Sequence, residues 1–589
     1  MAFDKFILKN QERVLIFVLL FVLAGILLVV DFYGYDPHID TKTNYMFSQT
    51  GSRSSQDEDA SHWNRNLNSG MPQYNKVFWD QYPEIYQLFS QPVFFIIIVF
   101  FASLGVYLFF LLTGYNRWES LFGAIFYGLA IRFLGYLPIW QYGWKLILLF
   151  IPWMAYSMRQ LKNGASIRYA ALFSLMFLLS LLLFETEIII YLLLAIVIYL
   201  LYSFVDMIEY EHGMQCYINF LLKVMVGIFL AVTGVIFPYL PLLRGQNLSI
   251  LDSIQSIAHW RLAMMIILIA GAFLLLRLGK KRIVLFAGTG LLIACGMYAI
   301  IYQFPWIDNL EIDNMQTSSE LVQEMLSDNS EFRIYPIGKE FRKNRWAVKT
   351  QSIGGKDFYQ PRHYNRIISQ SLDSETDKNL NINWNLLKLL NVKYLISAVK
   401  IPSYRVDYAH YSPDEKLILY KLQETPKYAW FVENWQILYP EKIIQKLNEP
   451  EFDPYSIAFL EHEIPEFNEQ QLPKPQNAKI SIINIEQEYI ELRVENENPG
   501  LLIISELFDR DWQAYVDEIP VEIYRADYLL RSIVVPPGPH EIAFRYEPDI
   551  EKYIRISYWA RVLILLLLIE ELLFFVWKRF GASWKLDGK

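Results

Sequence analysis

The chain has 589 residues, of which 54% are hydrophobic, 16% aromatic and only 19% Asp, Glu, Lys or Arg. Soluble domains carry about 25% charge, so this composition excludes a disordered chain, a collagen-like fibre and a single soluble domain, and it favours an integral membrane protein. A formal net charge of −8 argues against nucleic acid as a partner, and two cysteines exclude a disulfide scaffold or a cysteine-rich zinc site.

A bilayer core about 30 Å thick takes about 20 apolar residues per helix. By that criterion the apolar runs 14–32, 93–114, 119–138, 143–158, 169–184, 187–205, 220–241, 260–277, 284–304 and 557–577 are candidate spans, about ten in all. The first is too long, and lacks the small-residue cleavage site, for a secretory signal; it reads as a retained span. Cys216 is expected in a loop and Cys295 in an apolar run.

Basic residues near span ends set orientation. Lys5, Lys9 and Arg13 precede the first span, Arg159, Lys162 and Arg168 separate the fourth and fifth, Arg277, Lys280, Lys281 and Arg282 separate the eighth and ninth, and Lys578, Arg579 and Lys585 follow the last. With ten spans all four clusters fall on one side, which places both termini in the cytoplasm. Residues 31–92 and 305–556 then lie outside. The block 305–556 carries about −13, leaving about +5 on the rest.

The expected organisation is a transmembrane domain over 1–304 with a long first outer loop at 31–92. An α/β domain follows at 305–440, then a linker at 441–478, a β-sandwich at 479–556, and a last helix with a cytoplasmic tail at 557–589. "NWNLLKLLNVKYLIS" reads as a helix running into a buried strand. "YIELRVEN", "LLIISELF", "RSIVVPP" and "HEIAFRYEP" alternate like strands, and Pro536-Pro537-Gly538 punctuates them.

Charged groups at membrane depth are costly and are functional candidates. In this topology Asp36 and Asp40 follow the first span, Arg132 sits in the outer third of the third, and Lys145 opens the fourth. Glu185 and Glu187 tip the hairpin of the fifth and sixth, Arg244 follows the seventh, and His259 and Arg261 open the eighth. All fall near one level, the outer surface. Cations at that level suit a lipid-linked phosphate as leaving group, and a carboxylate suits an attacking hydroxyl. Phosphate loops, HExxH and GxSxG motifs are absent from the sequence.

Several strings resemble the YfhO family of bacterial membrane proteins, itself similar to the GT-C class of glycosyltransferases. They are "HWNRNLNSGMPQY" (62–74), "FRIYPIG" (332–338), "SIGGKDFYQPRHYNRII" (352–368), "LLKLLNVKYLIS" (386–397), "AWFVEN" (429–434) and the long stretch 499–548. The resemblance implies a multi-span, GT-C-like helical membrane protein with a large extracytoplasmic α/β and β-sandwich region and a C-terminal span. It implies a sugar transferred from a polyprenyl-phosphate donor to an envelope polymer or lipid outside the cytoplasmic (inner) membrane. Asp40 or Asp36 matches the place of the base, and Arg132, Lys145, Arg244 and Arg261 would meet the donor phosphate. Glu185, Glu187 and His259 complete the polar rim. A divalent metal is compatible with this class, although no dedicated cage is expected. A non-catalytic YfhO-like membrane scaffold for envelope assembly or export is the alternative, and a transporter is a third reading.

Overall fold

The computed structural model describes residues 61–72, 92–134, 142–182, 186–208, 213–240, 247–248, 320–341, 344–347, 350–355, 359–372, 382–413, 415–465 and 478–580. Two short strands come first, β1 (Trp63–Asn64) and β2 (Met71–Pro72). A helical domain follows: α1 (Pro92–Leu112), α2 (Arg117–Leu134), α3 (Tyr142–Lys162), α4 (Arg168–Leu181), α5 (Thr186–Ile208) and α6 (Gly213–Gly234). The C-terminal α11 (Glu551–Phe580) returns to pack against α4 and α6.

Local chemistry sets these boundaries. Asn116 and Glu119 form a reciprocal box at the start of α2: the Asn116 side chain accepts from the Glu119 amide at 2.8 Å, and the Glu119 carboxylate accepts from the Asn116 amide at 3.1 Å. The chain leaves the α6 register at Gly234, four residues before Pro238. α11 supplies partners there, with Arg561 Nε donating to the Gly234 carbonyl at 3.0 Å and Ser557 Oγ accepting from the Phe237 amide at 3.0 Å.

The ten-span architecture does not stand against this structure. Among the described residues one helix, Gly213–Gly234, is long and apolar enough to cross a membrane; Val99–Leu112, Arg168–Leu181 and Leu192–Ile208 are shorter apolar helices. Charge explains part of the shortfall. α2 contains Arg117, Glu119 and Arg132, α3 contains Lys145, Arg159 and Lys162, and α11 contains Arg561, Glu570 and Glu571. The runs 14–32, 260–277 and 284–304 lie outside the described residues. Cys216 lies in α6 rather than in a loop.

The described residues of the block expected outside the membrane, the outer block, form three sheets, and β6 (Tyr359–Gln360) pairs antiparallel with β3 (Asn247–Leu248). Strands β5 (Gln351–Ser352), β4 (Arg333–Pro336), β7 (Val392–Ser397), β9 (Leu417–Leu422) and β8 (Val406–Ser412) form a five-stranded mixed sheet in that order. It is flanked by α7 (Glu320–Leu326), α8 (Arg362–Ser371) and α9 (Trp384–Leu389). The second sheet, of six strands, orders β10 (Ala429–Val432), β15 (Gly500–Leu507), β19 (Leu530–Val535), β18 (Tyr524–Ala526), β12 (Ile457–Leu460) and β11 (Asn434–Ile437). The third, of five, orders β13 (Lys479–Ile485), β14 (Tyr489–Asn496), β20 (Gly538–Tyr546), β16 (Trp512–Val516) and β17 (Ile519–Val521).

All eight residues of β15 are buried, so this central strand is covered on both faces. Leu387 and Leu395 of the α/β region share one core with Ile503, Leu492 and Phe544 of the sandwich. The stretch 441–478 is therefore not simply a linker. It contains most of α10 (Pro440–Leu447), which buries Ile443, Ile444 and Leu447, and it contains β12, which pairs in parallel with β11 and joins β18 through Leu460 and Ala526. Its Pro, Glu, Gln and Asn content sits partly on the outer face of that helix. The sandwich likewise draws β10, β11 and β12 from before residue 479.

Candidate functional site

The best-built polar cluster lies where the first outer segment meets the two outer subdomains. Residues 61–72 enter as a strap. Trp63 packs edge-on against Trp512 with ring centroids 5.6 Å apart, and against Tyr546 at 5.1 Å. Asn68, Ser69 and Gly70 all take positive φ, which turns the strap sharply. At Gly70 a Cβ would come within 2.9 Å of the Trp63 ring. The turn lets the backbone pair outward: the Asn68 amide donates to the Gly354 carbonyl at 3.3 Å, the Ser69 amide to Ser352 at 3.2 Å, and the Ser352 amide back to Asn66 at 2.9 Å.

Beneath the strap is a buried charge knot. Arg65 donates to Glu506 Oε1 through Nη2 at 2.6 Å and Nε at 3.2 Å. Tyr428 donates to the same oxygen at 3.0 Å. Arg333 Nη2 lies 3.0 Å from it, while Arg333 Nη1 donates to the Ser505 carbonyl at 2.6 Å. Arg531 Nη2 is 3.5 Å from Glu506 Oε2, and its guanidinium lies 3.8 Å from the centroid of the Trp512 ring. Arg333, Arg531 and Glu506 are completely buried.

Burial alone would raise the Glu506 pKa. The guanidinium charges of Arg65, Arg333 and Arg531 outweigh it and hold the carboxyl down at about 2. Burial lowers Arg531 to about 10 despite the attraction of Glu506. Arg65 is also opposed by burial, yet its pairing with Glu506 moves it above its ordinary value. Three cations around one anion leave excess positive charge, relieved by the ring face of Trp512 on Arg531 and by Glu331, 3.9 Å from Arg65.

A second polar group lies further along the six-stranded sheet. Asp527 is completely buried, and its Oδ1 accepts from the Phe459 amide at 2.9 Å. Burial raises its carboxyl to about 7. Beside it Tyr528 packs on His363 with centroids 4.8 Å apart, and Arg525 contacts His363 at 3.1 Å and Glu461 at 3.3 Å. Burial, then the Arg525 charge, depresses His363 to about 4, so its ring is neutral at physiological pH.

Three of the residues expected at the outer membrane surface lie at ends of described helices. Arg132 lies in the last turn of α2, Lys145 in the first turn of α3 and Glu187 in the first turn of α5. Asp36, Asp40, Glu185, Arg244, His259 and Arg261 lie outside the described residues. Among the described residues no group of three or more His, Cys, Asp or Glu is placed to hold a metal ion. The knot escaped sequence reasoning because that reasoning sought charge at membrane depth. Its signal was a lone charge inside buried strands, as in "GLLIISEL", "LRSIVV" and "RIYP".

Comparison of the chain with protein-family models, curated proteins and solved structures finds no match.

Proposed function

We propose that the chain is a membrane-embedded, YfhO-like transferase that moves a sugar from a polyprenyl-phosphate donor to an envelope acceptor at the outer face of a bacterial cytoplasmic membrane. The observation that carries the reading is the apolar surface of the helical domain. Leu193, Val197, Leu201 and Val205 make an exposed stripe along α5, Leu222, Met225, Val226 and Phe229 another on α6, and Trp559, Leu563, Leu566 and Leu573 a third on α11. Water disfavours such adjoining patches, whereas hydrocarbon accepts them.

Polarity along the bundle supports the direction. The outer sandwich runs through β20 into α11. About 28 Å further along that helix, at 1.5 Å per residue, Glu570 meets Arg168 at 3.0 Å. Lys162 pairs with Asp206 at 2.6 Å, joining the C-terminal ends of α3 and α5. These basic residues thus sit at the bundle end remote from the sandwich, as the positive-inside rule requires of a cytoplasmic face. The turns bearing Arg132, Lys145 and Glu187 belong to the opposite helix ends.

In the proposed reaction the acceptor hydroxyl oxygen forms a bond to the anomeric carbon as the bond from that carbon to the phosphate oxygen breaks. Asp40 or Asp36 takes the hydroxyl proton, and the departing polyprenyl phosphate keeps its electron pair under Arg132, Lys145, Arg244 and Arg261. Glu185, Glu187 and His259 rim the acceptor. The scaffold reading draws on a different observation: the best-built charged cluster is spent on holding the outer block together and is closed to substrate. The test is modification of the envelope acceptor in cells at equal protein level. Asp40→Asn or Asp36→Asn should remove most modification, by about 10²–10⁴-fold, and Arg132→Ala should weaken donor use. Unchanged modification in both aspartate variants moves the assignment to the scaffold.

A further inference from the structure

Arg531 is completely buried, yet none of its side-chain nitrogens, Nε, Nη1 and Nη2, has a hydrogen-bond partner among the described residues. Glu506 Oε2 lies 3.5 Å from Nη2 and supplies charge without a hydrogen bond. The Trp512 ring lies against the guanidinium, with Cζ 3.8 Å from the ring centroid. The N–H groups of a guanidinium point outward in its own plane, so a ring on its face eases the charge and leaves the donors unmet. The unpartnered neighbours are donors as well: the buried Trp512 Nε1 and Arg333 Nε. Among the described side chains of the knot, Glu506 Oε2 is the one unpartnered acceptor. Buried donors without an acceptor are costly, and folded proteins meet them with ordered water or an ion.

We propose that the knot binds a small inorganic anion of the halide class, held at the edge of the Arg531 guanidinium. Water fits this site poorly, because it brings O–H groups of its own that need acceptors, and Glu506 Oε2 alone offers one. A halide accepts from every side and brings no donor. It also carries the charge that the cluster lacks: Arg65, Arg333 and Arg531 face Glu506, with only the more distant Glu331 in addition. Burial holds Arg531 below its ordinary pKa, and a second anion beside it offsets that burial. The strap covers the cluster, since Trp63 packs on Trp512 and Arg65 reaches Glu506. The ion is therefore a structural ligand that completes the junction of strap and outer block, separate from any substrate.

The test uses the full chain in detergent near neutral pH, with chloride or bromide exchanged for gluconate, too bulky for a closed site, at constant sodium and ionic strength. Unfolding of the outer block is followed in urea by near-ultraviolet circular dichroism. Chloride and bromide should both raise the urea midpoint. Above half-saturation the folding constant should grow about tenfold for each tenfold rise in halide, the signature of one site. Arg531→Met keeps apolar contact with Trp512 and should remove the dependence. Arg531→Lys keeps the charge but loses the planar edge of donors; it should weaken halide binding at least about tenfold, and it decides the matter if Arg531→Met fails to fold. Equal midpoints in halide and gluconate overturn the proposal and assign the donors to water. A halide dependence that persists unchanged in the Arg531 variants overturns it as well, because the ion then binds elsewhere.

Discussion

Glu506 remains ionised without contact with water because three guanidinium groups surround it. Removing the anion is far worse than removing one cation. Glu506→Gln leaves three buried positive charges with only the more distant Glu331, beside Arg65, as a side-chain counterion and should cost about 3–5 kcal/mol of outer-block stability. Arg65→Met relieves part of the positive excess and should cost clearly less in the same denaturant titration. Asp527 gives the opposite pH sign. Its carboxyl rises from 3.8 to about 7 on folding, so its contribution is fully favourable below pH 3.8 and is lost as pH climbs through 7. The Glu506 carboxyl is lowered from 4.5 to about 2, so its contribution is present above 4.5 and lost as pH falls towards 2. Asp527→Asn can keep the acceptor for Phe459 and the left-handed backbone. It should therefore be more stable than the parent above pH 7 by on the order of 3 kcal/mol. The advantage should vanish near pH 4, as read by chemical denaturation at each pH.

At the scale of elements, legibility followed periodicity. "YIELRVEN" is β14, with Ile490, Leu492 and Val494 buried in alternation, and the helix-to-strand reading of "NWNLLKLLNVKYLIS" corresponds to α9 and β7. β12 was not legible, because four residues, "IAFL", inside a polar stretch carry too little pattern to reveal a strand with long-range partners. The strap was visible as a string but not as a contact: nothing in "HWNRNLNSGMP" says that Trp63 will meet Trp512. Gly538 takes φ +124° at the start of β20. Gly538→Val should strain that turn and lower outer-block stability by about 1–3 kcal/mol; an unchanged unfolding midpoint would show that the turn tolerates a β-branched residue. In the helical domain α4 and α6 meet along a small-residue seam, where Ser174 Oγ donates to the Gly227 carbonyl at 2.6 Å. A Cβ at Gly227 would lie 2.8 Å from the Phe173 ring and 3.1 Å from the Ala170 carbonyl oxygen. Gly227→Val should therefore overpack the seam by about 1–3 kcal/mol, seen as earlier thermal loss of the monodisperse peak in detergent.

At the scale of the whole molecule, the two parts of the outer block share one large core rather than being joined by a linker, a second, smaller core around Leu321, Ile334 and Trp346 belongs to the α/β part alone, and the block pairs with Asn247–Leu248, which follow α6. Composition and basic clustering gave the expectation of a membrane protein with one basic face, and one described helix, Gly213–Gly234, is long and apolar enough to cross a membrane. They did not give the span count, because charged residues interrupt several helices: Arg561 finds a partner between helices at the Gly234 carbonyl, and Glu570 pairs with Arg168 on the bundle surface. On the proposed orientation, a reporter active only in the cytoplasm and fused near Asn434 should be silent, and a signal there would reverse the assignment of faces. Residue roles at the proposed reaction centre rest on the resemblance of the strings and on the helix ends that carry Arg132, Lys145 and Glu187. The most direct measurement is single-turnover transfer by the purified chain in lipid nanodiscs, from a polyprenyl phosphate bearing a radiolabelled sugar to isolated envelope acceptor. The account expects label to move to the acceptor with release of polyprenyl phosphate, and Asp40→Asn, or Asp36→Asn in its place, to slow that step by at least about 10²-fold. Failure of the parent to move label from any polyprenyl-linked sugar to the acceptor would contradict it.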